Sequence, residues 1–178
     1  MPVYSMNTAA DGDKFTFFSL AALELARALH WQPDVLHAND WHTAVSVYAL
    51  EQLRKHKDEF FNATHSVISL HNLPFLGGGI ENSLRAYGVP PSDDPNLPEW
   101  ARYFPLPMAL ATADKIVAVS PTYAQEILTP AFGCGLENFL QKRADAVTGI
   151  LNGLDQDQWD PMTDSALAHR VGSVDLFA

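Results

Sequence analysis

The stretch Pro33-Asp34-Val35-Leu36-His37-Ala38-Asn39-Asp40-Trp41-His42-Thr43 decides the fold of this chain. Its first half is a short apolar run, and its Asn-Asp pair offers two residues that favour the cap of a helix. The run Asp34–Ala38 therefore reads as a strand, the pair as a tight turn and Trp41–Lys57 as a helix. Upstream, Lys14–His30 spaces Phe18, Ala22, Leu25 and Leu29 by threes and fours, which predicts a helix with those residues on one face. Pro33 separates that helix from the strand.

Downstream the same alternation continues. Ser66–Leu70 is too short for a free-standing helix and is bounded by Asn62-Ala63-Thr64 and Pro74, so it reads as a buried strand. Residues 71–98 carry Pro74, Gly77-Gly78-Gly79, Pro90-Pro91 and Asp93-Asp94-Pro95. That density of breakers leaves room for one short helix near Ile80–Tyr87 and makes the glycine run a flexible hinge. Trp100–Ala113 reads as helix apart from its two prolines, and Lys115–Val119 as a β-branched strand. Ser120-Pro121 resembles a cap followed by proline at the first helical position, so Thr122–Leu128 should be helical. Leu136–Lys142 adds a helix and Ala146–Leu151 a strand ending at Asn152-Gly153. Strands separated by helices point to an α/β fold: a Rossmann-like parallel sheet with helices on both faces. Residues 1–160 are expected to form the domain and 161–178 an irregular tail. The chain opens with a helix where a complete doubly wound domain opens with a strand, so the first unit of the sheet is expected to be missing.

Composition narrows the function. Of 178 residues, 47% are hydrophobic and 18% charged, the range of globular chains. Eleven Lys and Arg against twenty-one Asp and Glu leave a net charge of −10, the wrong sign for gripping nucleic acid or an anionic membrane. No apolar run reaches the ~20 residues of a membrane span, and Asp11 and Asp13 fall where a signal peptide has its apolar core. A lone cysteine, Cys134, allows no internal disulfide and fits a cytoplasmic location. Neither a metal nor another cofactor is expected. His37, Asp40 and His42 match no zinc spacing, and His37 suits a buried, hydrogen-bonded core position.

In an open parallel sheet, ligands bind beyond the carboxyl ends of the strands. His37, Asn39, Asp40 and His42 follow the first strand, and His71 and Asn72 the second. Ser120 and Thr122 follow the third, and Asn152 and Asp155 the fourth. Amides, imidazoles and carboxylates suit a hydroxyl-rich ligand such as a sugar, with Trp41, Phe75 and Tyr123 as apolar faces. The plainer reading of Asn39 or Asp40 is a helix cap.

At these residues the sequence resembles the bacterial glycogen synthase and plant starch synthase family. The blocks are residues 33–43, Leu70-His71-Asn72-Leu73, Val119-Ser120-Pro121-Thr122-Tyr123-Ala124, residues 129–136 and Gly149-Ile150-Leu151-Asn152-Gly153-Leu154-Asp155. The resemblance implies a GT-B glycosyltransferase of two Rossmann-like domains facing across a cleft, this chain matching the latter part of the N-terminal one. It implies ADP-glucose as donor, an α-1,4-glucan as acceptor, and transfer with retention. By the same resemblance His71 and Asp40 would be catalytic, and Asn72, Asn152, His42 and Tyr123 would bind substrate. Pro74-Phe75-Leu76-Gly77 stands where the family usually has Ala-Tyr-Gln-Gly. The Lys-Thr-Gly-Gly loop and the C-terminal nucleotide-binding domain, with its basic pair and glutamate, are expected to be missing, so the chain alone should not turn over. The alternative is a non-catalytic glucan-binding module or a decayed gene fragment.

Overall fold

A computed structural model of the chain describes residues 3–5, 7–170 and 172. Helix α1 runs Thr8–Ala28, and strand β1, Val35–Asn39, leads into α2, Asp40–Lys55. Strand β2, His65–Leu70, is followed by the short α3, Glu81–Ala86, and by α4, Pro105–Thr112. Strand β3, Lys115–Ala118, precedes α5, Pro121–Glu126, and α6, Glu137–Lys142, and the chain returns as β4, Val147–Gly149. α1 starts earlier than periodicity alone suggests because Asn7 caps it, its side chain accepting from the Ala10 N–H. The stretch read as one helix from Trp100 divides into a 3-10 turn, Glu99–Tyr103, and α4, which Pro105 opens at its first position. The described part of the expected tail holds turns and no helix or strand, and residues 171 and 173–178 of it lie outside the described residues.

The four strands are all parallel and lie in the order β1-β2-β3-β4. Parallel neighbours taken in sequence order and joined by right-handed crossovers put every connecting helix on the same side of the sheet. The core has that form. Ala38, Ile68, Leu70, Ile116 and Ala118 point into one cluster with Ala44 and Val47 of α2, Leu106, Ala109 and Leu110 of α4, and Phe139 and Leu140 of α6. Burying a side chain such as Ile68 contributes ~2 kcal/mol. The α/β class and the parallel sheet are as expected, but helical cover on both faces is not. The opposite face carries His37, Val67, Ser69, Val117 and Thr148, and these line an open concavity.

α1 packs on the outside of α2, where Leu23 and Ala26 meet Ala49, Leu50 and Phe61. The apolar stripe chosen by spacing does not face inward: Phe18, Ala22, Leu25 and Leu29 are exposed, and Thr16, Ser19, Leu23 and Ala26 are buried. Smaller side chains on the packed face let the two helices approach closely. The glycine run is packed as well. A Cβ on Gly77, whose φ is +77°, would sit 2.7 Å from the Trp41 ring and 2.5 Å from Pro105, so this segment is a wedge rather than a hinge.

At the amino ends of the strands, polar groups close on one another. Asp114 accepts from Arg54 Nη1 at 2.8 Å and from the Ser66 N–H at 2.7 Å, and its own N–H donates to Ser66 Oγ at 3.0 Å. Arg54 also pairs with Glu51 at 2.7 Å and donates to the Thr64 carbonyl.

Candidate functional site

The carboxyl ends of β1 to β4 lie side by side, because the register sets Asn39 beside Ser69, Ser69 beside Val117 and Val117 beside Thr148. Residues that follow each strand therefore gather along one rim, and His71 and Asn152 fall about two strand spacings apart, ~10 Å. Asn39, His71 and Asn152 line a concavity of about 590 Å³ that runs from this rim down the helix-free face past Ser69 and Val117.

Asp40 stands at the β1 end of the rim. It begins α2 with φ +50°, a left-handed conformation that Asp and Asn tolerate better than most side chains. Neither Asn39 nor Asp40 uses its side chain as a helix cap. Asn39 makes no side-chain cap bond, and its backbone N–H donates instead to Thr43 Oγ1 at 2.6 Å. The Asp40 carboxylate crosses to the next strand, accepting the His71 backbone N–H at 2.8 Å and lying 3.0 Å from His71 Nδ1. The His71 ring is nearly half exposed.

Two further residues brace this rim. Tyr123 is half-buried, and its hydroxyl accepts the Leu73 N–H at 2.8 Å, which pins the loop after β2 from the α5 side. Burial raises the Tyr123 hydroxyl pKa, although the bond from Leu73 works the other way. Trp41, expected as an apolar face for a ligand, is partly buried against the main core. Asn72 is exposed in the turn between His71 and Leu73, and its carbonyl accepts the Phe75 N–H.

His42 faces elsewhere. It packs against Phe15 at a centroid distance of 4.8 Å and against Trp41 at 4.4 Å, and its Nε2 is 2.7 Å from the Tyr4 hydroxyl. Burial lowers its pKa, partly opposed by Asp40. His37, expected as a core histidine, lies exposed on the helix-free face, where Nε2 shares a 2.8 Å hydrogen bond with Ser69 Oγ. Ser69 is a lining residue that the short strand-end groups left out, whereas Asn39 stood among them. Period-two alternation along β1 and β2 puts both on the face of His37. Among the described residues, no three of His, Cys, Asp and Glu gather as a metal site, and no helix is long and apolar enough to cross a membrane. An apolar groove of about 490 Å³ between α1, α2 and residues 87–90 lies away from the strand ends.

A family model described as the starch synthase catalytic domain matches residues 2–142. Among curated relatives, a glycogen synthase of Clostridium perfringens is 37% identical over 161 residues, which are 89% of this chain and 33% of that protein. One of Vibrio parahaemolyticus is 40% identical over 169 residues, covering 91% of this chain and 34% of the relative. The chain thus spans about one third of the length of the relatives it matches. Among solved structures, the catalytic domain of starch synthase IV from Arabidopsis thaliana, bound to ADP and acarbose, superposes with a TM-score of 0.71. The two are 28% identical, and the match covers 97% of this chain and 36% of that one.

Proposed function

The chain belongs to the starch synthase catalytic domain family, and from that premise we propose that it contributes the sugar-facing rim of a glucosyltransferase. The proposed reaction moves glucose from ADP-glucose to the non-reducing end of an α-1,4-glucan with retention. The observation that carries the reading is the alignment of Asp40, His71 and Asn152 along one rim, with an open concavity beneath them. Neutral amides and an imidazole exchange donors and acceptors with sugar hydroxyls, and contacts that tighten as the bond breaks lower the barrier. In this reading His71 and Asp40 belong to the catalytic machinery, while Asn72 and Asn152 contact the sugar. Tyr123 acts from behind the loop, and His42, turned toward Phe15 and Tyr4, is assigned no contact with the sugar at this rim. Residues 1–160 form the working domain and 161–178 a tail, and the protein acts in the cytoplasm.

Loss of a nucleoside diphosphate needs positive charge beside the departing phosphates. Asn39, Asp40, His71, Asn72, Ser120 and Asn152 bring no lysine or arginine to the rim, and Lys115, which also lines the concavity, lies at the amino end of β3 with its Nζ donating to the Asp145 carbonyl. The cations are therefore assigned to a nucleotide-binding domain across the cleft. This absence of a cation also favours a second reading, a glucan-binding module without transferase activity. Titration of the purified chain with a maltooligosaccharide tests the rim. His71→Ala and Asn152→Ala should each weaken binding about tenfold with folding retained, and unchanged affinity would remove the sugar from this rim. Labelled glucose from ADP-glucose should enter glucan only when the chain is joined to the nucleotide-binding part of a relative. A joined protein that binds glucan yet never transfers glucose would select the second reading.

A further inference from the structure

We infer that Asp40 is a positioning residue that sets which ring nitrogen of His71 carries the proton. The inference rests on the reading of His71 as a sugar-facing group, and its test stands apart from that reading. One carboxylate oxygen, Oδ1, accepts the backbone N–H of His71 at 2.8 Å, while Oδ2 lies 3.0 Å from Nδ1 of the same residue. An ionised carboxylate only accepts hydrogen bonds, so a neutral ring beside it carries its proton on Nδ1. Nε2 is then left with its lone pair, and among the described residues no hydrogen-bond partner takes it. His71 thus presents an acceptor to a sugar hydroxyl, and it becomes a donor at that atom only when the ring is protonated.

The backbone contact makes the assignment testable by a single-atom change. In Asp40→Asn the amide oxygen must stay on the His71 N–H, since the amide nitrogen there would set donor against donor. The amide NH2 then faces Nδ1 and forces the ring proton to Nε2. Asn also tolerates the positive φ of this position, so the backbone has no cause to move. The Asp40 carboxylate meets one residue twice, accepting its backbone N–H and standing 3.0 Å from its ring nitrogen, while Tyr123 holds Leu73 two residues further on. The loop after β2 is therefore held at both ends with the ring orientation fixed between them.

The experiment is nitrogen-15 NMR of the imidazole nitrogens in the whole chain at alkaline pH, where imidazoles are neutral. In the unaltered chain the Nδ1–H form of His71 should exceed the Nε2–H form by about tenfold or more, the factor a charge-assisted hydrogen bond contributes. The ratio should invert in Asp40→Asn, with the dispersed amide spectrum of the fold retained. An unaltered chain whose His71 proton sits on Nε2 overturns the inference without any variant, and so does a ratio that Asp40→Asn leaves unchanged. Maltooligosaccharide titration of the same samples keeps the two ideas separate. A tautomer that inverts with no change in glucan affinity upholds the role of Asp40 and counts against His71 as a sugar contact.

Discussion

The two ends of the sheet use the same kinds of side chain to opposite effect. At the amino end, Arg54, Asp114, Ser66 and Glu51 spend their hydrogen bonds on one another and on the backbone. At the carboxyl end, the one hydrogen bond of the Asp40 side chain among the described residues comes from His71, and His71 and Asn152 line the concavity. Closed networks hold strands together, whereas polar groups with spare valence beside a cavity are positioned for something that arrives. The difference separates scaffold from site more sharply than residue type does.

Removing a member of the closed end should cost the most. Asp114→Ala strips Arg54 and Ser66 of their acceptor and should lower stability by about 2 to 3 kcal/mol in urea unfolding. Burial pushes the Asp114 carboxyl up, but the bonds from Arg54 and Ser66 outweigh it and hold the pKa below the ordinary value of 3.8. A lowered carboxyl pKa contributes stability that is present above the unfolded value and lost as pH falls through the folded one. The parent chain should therefore lose stability below about pH 4, and Asp114→Ala should flatten that acid limb.

Next in size is a test of how the open end is built. A Cβ on Gly149 would fall 2.3 Å from Pro121 Cα and 2.4 Å from the Ser120 carbonyl, both backbone atoms that cannot yield. Gly149→Ala should cost about 2 kcal/mol and displace the segment leading to Asn152, weakening glucan binding together with stability. Tyr48 extends the contrast to the helical layer. Its hydroxyl donates to the Pro91 carbonyl at 2.9 Å, and burial, aided by Asp93, pushes its pKa up to about 12. A raised pKa contributes stability that is full below the unfolded value of about 10 and is lost as pH climbs through the folded value. Tyr48→Phe should cost about 1 kcal/mol at neutral pH and remove the alkaline loss. Smallest of all, His71→Ala should change stability by less than ~0.5 kcal/mol. A large loss there would break the contrast by making the rim part of the scaffold.

Much of this architecture was legible in the residues. Strand runs such as Ser66–Leu70 and the cap at Ser120 follow from local chemistry and appear in the fold, and α2 starts where expected, at Asp40, although neither Asn39 nor Asp40 caps it with its side chain. What local chemistry does not encode is which neighbour a face meets. α1 carries apolar side chains nearly all round, so spacing found a stripe but not the side that α2 would cover. His42 follows Asp40 by two residues, yet the turn of the helix sends it toward Phe15 and Tyr4 and away from the rim. Helical cover on one side only follows from strand order, a property of the whole chain that no single segment reveals. The Asp40 to His71 bond spans two strands and could be read only once β1 and β2 were seen as neighbours.

The outward stripe of α1 governs how the protein behaves as a solute. Phe17, Phe18 and Leu25 are exposed on α1, with Leu29 and Trp31 just beyond the helix end, and repulsion from a net charge of −10 opposes association through them. Added salt weakens that repulsion and strengthens apolar attraction at once. Precipitation should set in first in concentrated sulfate or as the solution nears the isoelectric point at about 4.9, and handling in dilute, mildly alkaline buffer should give the longest-lived samples.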